Sequence, residues 1–294
     1  MSRTKAQRVG LKLSPAACVL LAVLAACGGA RPQARGGGAP ARLKAQEAGA
    51  ADARVEPYAG RMAYVVVALC DNVNQGIVPV APALGNGDDA DKNLYWGARF
   101  GVRTHFKASR EWQLVSSERD PSPKVLERLV YKHKKSDAYM VADAYRGAEI
   151  RQATADFLNA ASGNTNPTVE IGGKTYGLSK GAAAHLVAYV GHDGLMDFQL
   201  THTPKRRDDV RRDAVILACV SKKYFATPLK ESGANPLLWT TNLMAPEAYV
   251  LKAALDGWLL NEDGERVRER AAKAYDAYQS CGIKSARALF ATGW

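Results

Sequence analysis

Three runs of the sequence limit the fold more than anything else: MAYVVVALC at 62–70, AHLVAYV at 184–190 and DAVILAC at 213–219. Each is almost wholly apolar, rich in Val and Ile, and too short for a buried helix, with no 3.6-residue period. Strands read this way when both faces of their sheet are covered, which is the habit of parallel sheets with helices packed on them. Helix-like segments lie between these runs, so the expected class is α/β.

The remaining elements follow from local pattern. Segments 94–106, 121–135 (with Pro123 in its first turn) and 147–162 are predicted as helices, and 112–116, 137–143 and 236–242 as further strands. TVEIGGKTYGL is predicted as a hairpin turning at Gly172 and Gly173. From Ala245 onward the chain reads as mostly helical.

The first residues are of another kind. Arg3, Lys5, Arg8 and Lys12 precede an apolar stretch, LSPAACVLLAVLAAC, with the charged and apolar regions of a secretory signal. Leu24, Ala25, Ala26 and Cys27 then form a sequence that resembles the bacterial lipobox. That resemblance implies cleavage before Cys27, acylation of Cys27, and a chain held to a membrane by its lipid. A Gly, Ala, Pro and Arg stretch follows and reads as a tether. The expected organisation is therefore a signal at 1–26, a tether at 27–55 and a folded domain at 56–294, placed at the bacterial cell envelope facing the periplasm or the exterior.

The formal net charge is +11, and four of those cations belong to the signal. The rest are scattered, and the local run KRRDDVRRD at 205–213 alternates sign without interleaved aromatics, so nucleic acid is not an expected partner. After Cys18 and Cys27 are set aside, Cys70, Cys219 and Cys281 remain. They lack the paired spacing of a metal site, and either one disulfide or none is compatible with three. No metal and no other cofactor is expected.

Two of the apolar runs end on reactive side chains. AHLVAYV leads into Gly191, His192, Asp193 and Gly194, and AVILA leads into Cys219. In a parallel sheet ligands gather beyond the carboxyl ends of the strands, so neighbouring strands would bring His192 and Cys219 to one rim. A thiol attacks only as thiolate, and an imidazole can take its proton and return it to a leaving amine. Oxyanion donors are expected from the backbone of Asp193, Gly194 and Cys219. Asp71 and Asn72, which follow the first strand, and Asp143, read as the end of another, are candidate substrate-pocket residues; Thr241 and Asn242, at the end of the strand predicted at 236–242, join them only through the family resemblance that follows.

An apolar strand ending in His beside glycine, followed by a second apolar strand ending in Ala-Cys, resembles the dyad signature of the caspase-like cysteine peptidases, the group of caspases, metacaspases, legumains, separases and gingipains. The segment ACVSKKYF is most similar to the gingipain form. The resemblance implies a three-layer α/β/α sandwich with a mostly parallel central sheet, a peptide or protein substrate, Cys219 as nucleophile and His192 as general base and acid. The sequence departs from the pattern in placing Asp193, not glycine, directly after His192. Some relatives that cleave after Arg or Lys carry Asp two positions before the nucleophile, where this chain has Leu217. The alternative expectation is a lipid-anchored binding protein that keeps the fold without activity.

Other motifs carry less. GLSKG at 177–181 fits G-x-S-x-G and would make Ser179 a hydrolase nucleophile, but the following residues read as strand where that motif needs a helix. Gly173, Lys174 and Thr175 imitate the end of a phosphate loop without its first glycine.

Overall fold

The computed structural model describes residues 54–294. The signal, Cys27 and the tether up to residue 53 lie outside the described residues. Along the chain the elements are β1 (Val55–Glu56), β2 (Tyr58–Ala68), α1 (Val102–Lys107), β3 (Trp112–Ser122), β4 (Val125–His133), β5 (Ala138–Tyr145) and α2 (Ile150–Ser162). The hairpin β6 (Thr168–Ile171) and β7 (Lys174–Gly177) precedes β8 (Ala182–Val190), β9 (Arg212–Leu217), α3 (Ser221–Ser232) and β10 (Asn235–Thr240). The chain closes with α4 (Ala248–Leu259), α5 (Gly264–Gln279), α6 (Ile283–Leu289) and β11 (Phe290–Ala291).

Eight strands form one sheet in the order β11-β10-β9-β8-β2-β5-β4-β3, and β1, β7 and β6 form a second, three-stranded one. The class is α/β, as expected, but the large sheet is mixed. Its central strands β10, β9, β8, β2 and β5 are parallel, whereas β4 and β3 at one side and β11 at the other are antiparallel. The second sheet joins the expected hairpin to β1, with Gly172 and Gly173 at φ 61° and 74° in its turn.

The uninterrupted apolar character of β2 has a direct cause. Ala63, Val65 and Val67 enter one hydrophobic cluster with Phe106, Leu251, Leu255 and Val267, while Met62, Tyr64 and Val66 enter another with Phe157, Leu158, Phe225 and Leu229. Alternate residues of one strand therefore serve two cores, and neither face is left for water.

Two expectations are corrected, and one element was not anticipated. Residues 121–135 are not a helix: β4 occupies most of them, antiparallel between β3 and β5. Its apolar residues fit both periods, and the pairing decides, because Arg128 lies opposite Asp143 and binds it with both ends of the guanidinium, Nε to Oδ1 at 2.7 Å and Nη2 to Oδ2 at 2.6 Å. Of 94–106 only the end is helical, as α1, since Asn93 and the turns before it are tied to the end of β2 by Asn93 bonds to the backbone of Cys70. The polar segment after Cys219 folds into α3, a helix whose buried Ser221, Phe225, Leu229 and Ser232 fall on one side.

Candidate active site

β8 and β9 are neighbours and parallel, with Val190 opposite Leu217. That ladder pairs residues 27 positions apart, which is also the separation of His192 and Cys219. Each strand thus runs two residues past the ladder's last pair to reach its reactive side chain, and both chains leave by the same rim.

Between Val190 and His192 the backbone passes over the end of β2. Gly191 has φ 149°, and a Cβ there would stand 2.7 Å from the carbonyl oxygen of Ala68. Only glycine permits this approach. His192 is then held at its carbonyl by the Tyr189 hydroxyl, which donates at 2.8 Å, and at its ring by Asp197, with 2.7 Å between Nε2 and Oδ2. The same Asp197 oxygen accepts from Gly76 N at 2.9 Å, tying the loop that follows β2 to the rim. The other ring nitrogen, Nδ1, makes no hydrogen bond among the described residues.

Cys219 sits on a strand-to-helix turn. The next residue, Val220, is β-branched and adopts φ 52°, ψ 29°, a conformation that costs of order 1–3 kcal/mol and persists only where neighbours enforce it. The neighbours are identifiable. Val220 N donates to Asn242 O at 2.9 Å, Ser221 N to Thr240 Oγ1 at 3.1 Å, and Ser221 Oγ to Ile216 O at 3.0 Å. Thr240 returns a bond from its amide to Ser221 Oγ and one from its hydroxyl to Ala218 O. Two buried hydroxyls on α3 and β10 therefore fix the turn that presents the thiol.

The thiol is half-buried and free, as is the deeply buried Cys70 at the end of β2. Cys219 Sγ lies 3.4 Å from Met244 N, which donates to it, and 3.5 Å from Met244 O. Burial pushes its pKa up, the Met244 amide pulls it down, and the charge of Asp193 pushes it up again. No hydrogen bond joins it to the imidazole among the described residues.

Asp193 caps the short 3-10 turn Gly194–Met196, its Oδ1 accepting from Leu195 N at 3.0 Å. Its side chain is fully buried and Oδ2 has no partner. Burial lifts this carboxyl to about 7, with the Asp197 charge adding to the shift and the Leu195 amide opposing it. The amides of Gly194 and Cys219 also make no hydrogen bond among the described residues.

The expected pocket residues fare unevenly. Asp71 spends its carboxylate on its own loop, Oδ1 accepting from Val73 N and Asn74 N and Oδ2 from Asn74 Nδ2. Asn72 grips the backbone of Val80 with both side-chain atoms. Asp143 is inside β5, not at its end, and its charge is consumed by Arg128 and the Tyr64 hydroxyl. Thr241 and Asn242 are exposed. The Thr241 hydroxyl bonds to Ala288 O at 2.7 Å, while Asn242 stands beside the thiol turn through its carbonyl. Ser179 is buried between β7 and β8 with its hydroxyl on Thr165 O, and it starts no helix.

Sequence reasoning missed Asp197 as the histidine's partner, Met244 at the thiol and the Ser221–Thr240 support. Only the first had a sequence signal, an acid five residues after His192. Cavities of about 540 Å³, near Arg61, Asp213 and Trp258, and about 730 Å³, beside β3 and α1, lie elsewhere, and neither is lined by His192 or Cys219. Chemistry, not cavity size, marks the rim. Comparison of the chain with family models, curated proteins and solved structures gave no match.

Proposed function

We propose that the domain is a cysteine peptidase with a caspase-like fold, hydrolysing peptide bonds through Cys219 and His192. The observation that carries this reading is the common register of the two residues beyond neighbouring parallel strands, with the thiol on an enforced strand-to-helix turn. Two hydrophobic clusters, one on each side of the sheet strands, support the three-layer α/β/α sandwich that the fold requires.

In this reading Nδ1 of His192 takes the thiol proton as Sγ attacks the scissile carbonyl carbon. The tetrahedral oxyanion is met by the unengaged amides of Gly194 and Cys219. As the C–N bond breaks, the imidazolium returns the proton to the departing amine. Water then adds to the thioester with His192 as base, and the thiol is released with the acid product. Asp197 positions the ring and stabilises its cationic form. The proposal extends to the envelope: Cys27 carries lipid and holds the domain to a membrane, where it meets peptide or protein substrate.

Turnover of a diverse peptide library by wild type and by Cys219→Ala tests the activity. Hydrolysis and labelling by a thiol-directed acyl probe are both expected to disappear in the variant, and equal labelling of the two proteins sinks the peptidase. Cys27→Ser is expected to move the protein from the membrane to the soluble fraction, and unchanged fractionation removes the anchor.

A second reading, a binding protein without turnover, is favoured by two observations. Met244 occupies the thiol from a loop that would have to yield to substrate, and the buried Asp193 opposes thiolate formation. Specific retention of a peptide by Cys219→Ala and wild type alike, with no cleavage by either, selects this reading.

A further inference from the structure

We propose that the entry end of the parallel sheet is a membrane-docking face, which sets exposed lysines and arginines against anionic lipid headgroups and turns the His192–Cys219 rim away from the bilayer. The orientation rests on the lipid-anchored reading, whereas the attraction to lipid rests on the charges alone.

The strand register brings these charges to one end. Arg61 lies opposite Ala138 and Ala184, His185 opposite Arg212, and Asp213 opposite Asn235, so β2, β5, β8, β9 and β10 all begin at the same level. The segments that lead into them emerge there together: residues 134–137 before β5, 205–211 before β9, and the last turn of α3 before β10. β1 and β7 continue the pairing of β2 and β8 beyond that level, through Val55 opposite Thr175 and Tyr58 opposite Ala182. Lys134, Lys135, Lys174, Lys205, Arg207 and Lys230 lie on these segments, all exposed and none in an ion pair among the described residues. The run that holds Lys205 and Arg207 is fixed in place across the ends of two helices, since Arg206 N donates to Glu231 O and Arg207 N to Ser162 O.

Acids of the same end do not cancel this charge. Asp208 is taken by Arg212 and Lys180, Asp209 by Arg206 and Asp213 by Arg211. Asp137 accepts from the Tyr58 hydroxyl, and Glu170 and Glu231 are the exposed acids on these segments that meet no cation. The nearest rings, Tyr58, Tyr139 and Tyr176, pack edge-on against one another. The face thus offers charge without the free aromatic platforms that single-stranded nucleic acid uses, and an anionic bilayer asks for charge alone. The described residues also begin here, with Val55 beside the hairpin that carries Lys174, so an anchor upstream delivers this face to the membrane first. His192 and Cys219 lie at the far ends of β8 and β9, about 30 Å away at the usual rise of a strand.

The test is co-sedimentation of the mature chain, residues 27–294 with Cys27→Ser, with vesicles of phosphatidylcholine alone or mixed equally with phosphatidylglycerol. Binding is expected only to the anionic vesicles and should be lost in high salt. Each charge removed should lower the partition about five-fold, so changing all six cations to Gln should cost more than about 100-fold, and Lys134→Gln with Lys135→Gln, a milder change to the fold, about 25-fold. A control with Lys92, Lys107, Lys124, Lys223, Lys273 and Lys284 changed to Gln removes the same charge from elsewhere and should bind nearly as wild type. Equal losses in the two six-fold variants, or no binding by wild type, overturn the face, as does tighter binding to a short DNA than to the vesicles. Iodoacetamide alkylation of Cys219, followed by peptide mass, should run at the same rate on and off the vesicles, and protection on the vesicles overturns the orientation. Vesicle binding together with unchanged fractionation of full-length Cys27→Ser removes the anchor and leaves the face, and a released Cys27→Ser that ignores anionic vesicles does the reverse.

Discussion

The parallel sheet has two ends, and each carries a histidine and a buried charge. At the entry end, His185 accepts from Ala182 N through Nε2 and faces Leu178 O through Nδ1, so both ring nitrogens are used. Arg212 beside it is almost fully buried and binds both oxygens of Asp208, together with Ser179 O and Val210 O. At the exit rim, His192 keeps Nδ1 unused, Asp193 keeps Oδ2 unpartnered, and Val220 holds a costly backbone angle beside a thiol. Buried polar groups are normally satisfied. The entry end obeys that rule and the exit rim breaks it at Asp193 Oδ2. A closed network stabilises, whereas open valences are what a reaction needs.

The contrast predicts opposite outcomes for substitutions at the two ends. The largest stability effect belongs to the entry end: Arg212→Ala leaves two carbonyls without their donor and Asp208 with only Lys180 as its cation, and urea unfolding should register a loss of about 3–5 kcal/mol. Alkylation of Cys219 in the folded fraction should not change. A loss below about 1 kcal/mol would mean that the entry network is decoration, and the contrast would fail on its structural side.

At the rim, Asp193→Asn should stabilise, and only above a definite pH. The folded carboxyl sits at about 7 against an ordinary value of 3.8, so between these the native state binds more protons than the unfolded chain. Stability from this group is therefore complete below about 4 and is lost as pH rises toward 7. At pH 8 the substitution should restore roughly 2–4 kcal/mol, and near pH 4 almost none. Thermal melts at the two pH values check the sign, and a variant equally stable or less stable at both contradicts a raised carboxyl.

His185 sharpens the comparison from the other side. Its burial lowers it to about 4, and its bonds at both nitrogens suit the neutral ring, so it should stay uncharged through the neutral range. Asp197→Asn tests whether the rim histidine differs in kind. The asparagine can still contact Nε2 but cannot stabilise an imidazolium, so on the proposed peptidase reading hydrolysis should fall about 10–100-fold with unfolding free energy unchanged within about 1 kcal/mol. Equal loss of stability and activity would make Asp197 another structural bond, like those at the entry end.

The sequence showed the rim more readily than its machinery. β2, β8 and β9 were legible because strands covered on both faces cannot hide a polar alternation, and His192 and Cys219 were legible as the residues that follow them. β4 was not, because Val125, Leu129 and Val130 fit a helix as well as a strand, and only Asp143 on the neighbouring strand explains Arg128. Asp143 was misplaced for a related reason: β5 continues to Tyr145, two residues past the acid that looked like its end. α3 was obscured by its Lys residues and by Pro228, although the spacing of Phe225 and Leu229 and the positive φ at Gly233 mark a helix and its cap. Met244 reaches the thiol from 25 residues away through its backbone, which no side-chain pattern can announce.

The smallest effect concerns Val220, and it asks whether strain at the rim serves the thiol or only the fold. Glycine tolerates φ 52° without penalty, so Val220→Gly removes backbone strain while giving up a partly buried side chain and loosening the unfolded chain. These contributions oppose one another, and net stability should shift by less than about 1 kcal/mol. Activity need not follow. The Ser221 and Thr240 hydroxyls now clamp a turn that no longer resists, and the freed backbone can move Sγ away from the line of approach. On the proposed peptidase reading, a fall in kcat of several-fold at nearly constant melting temperature is the expected pattern. Unchanged kcat would place the strain with the entry-end bonds, as something the fold tolerates, and would leave the thiol's position to Met244 and the two hydroxyls alone.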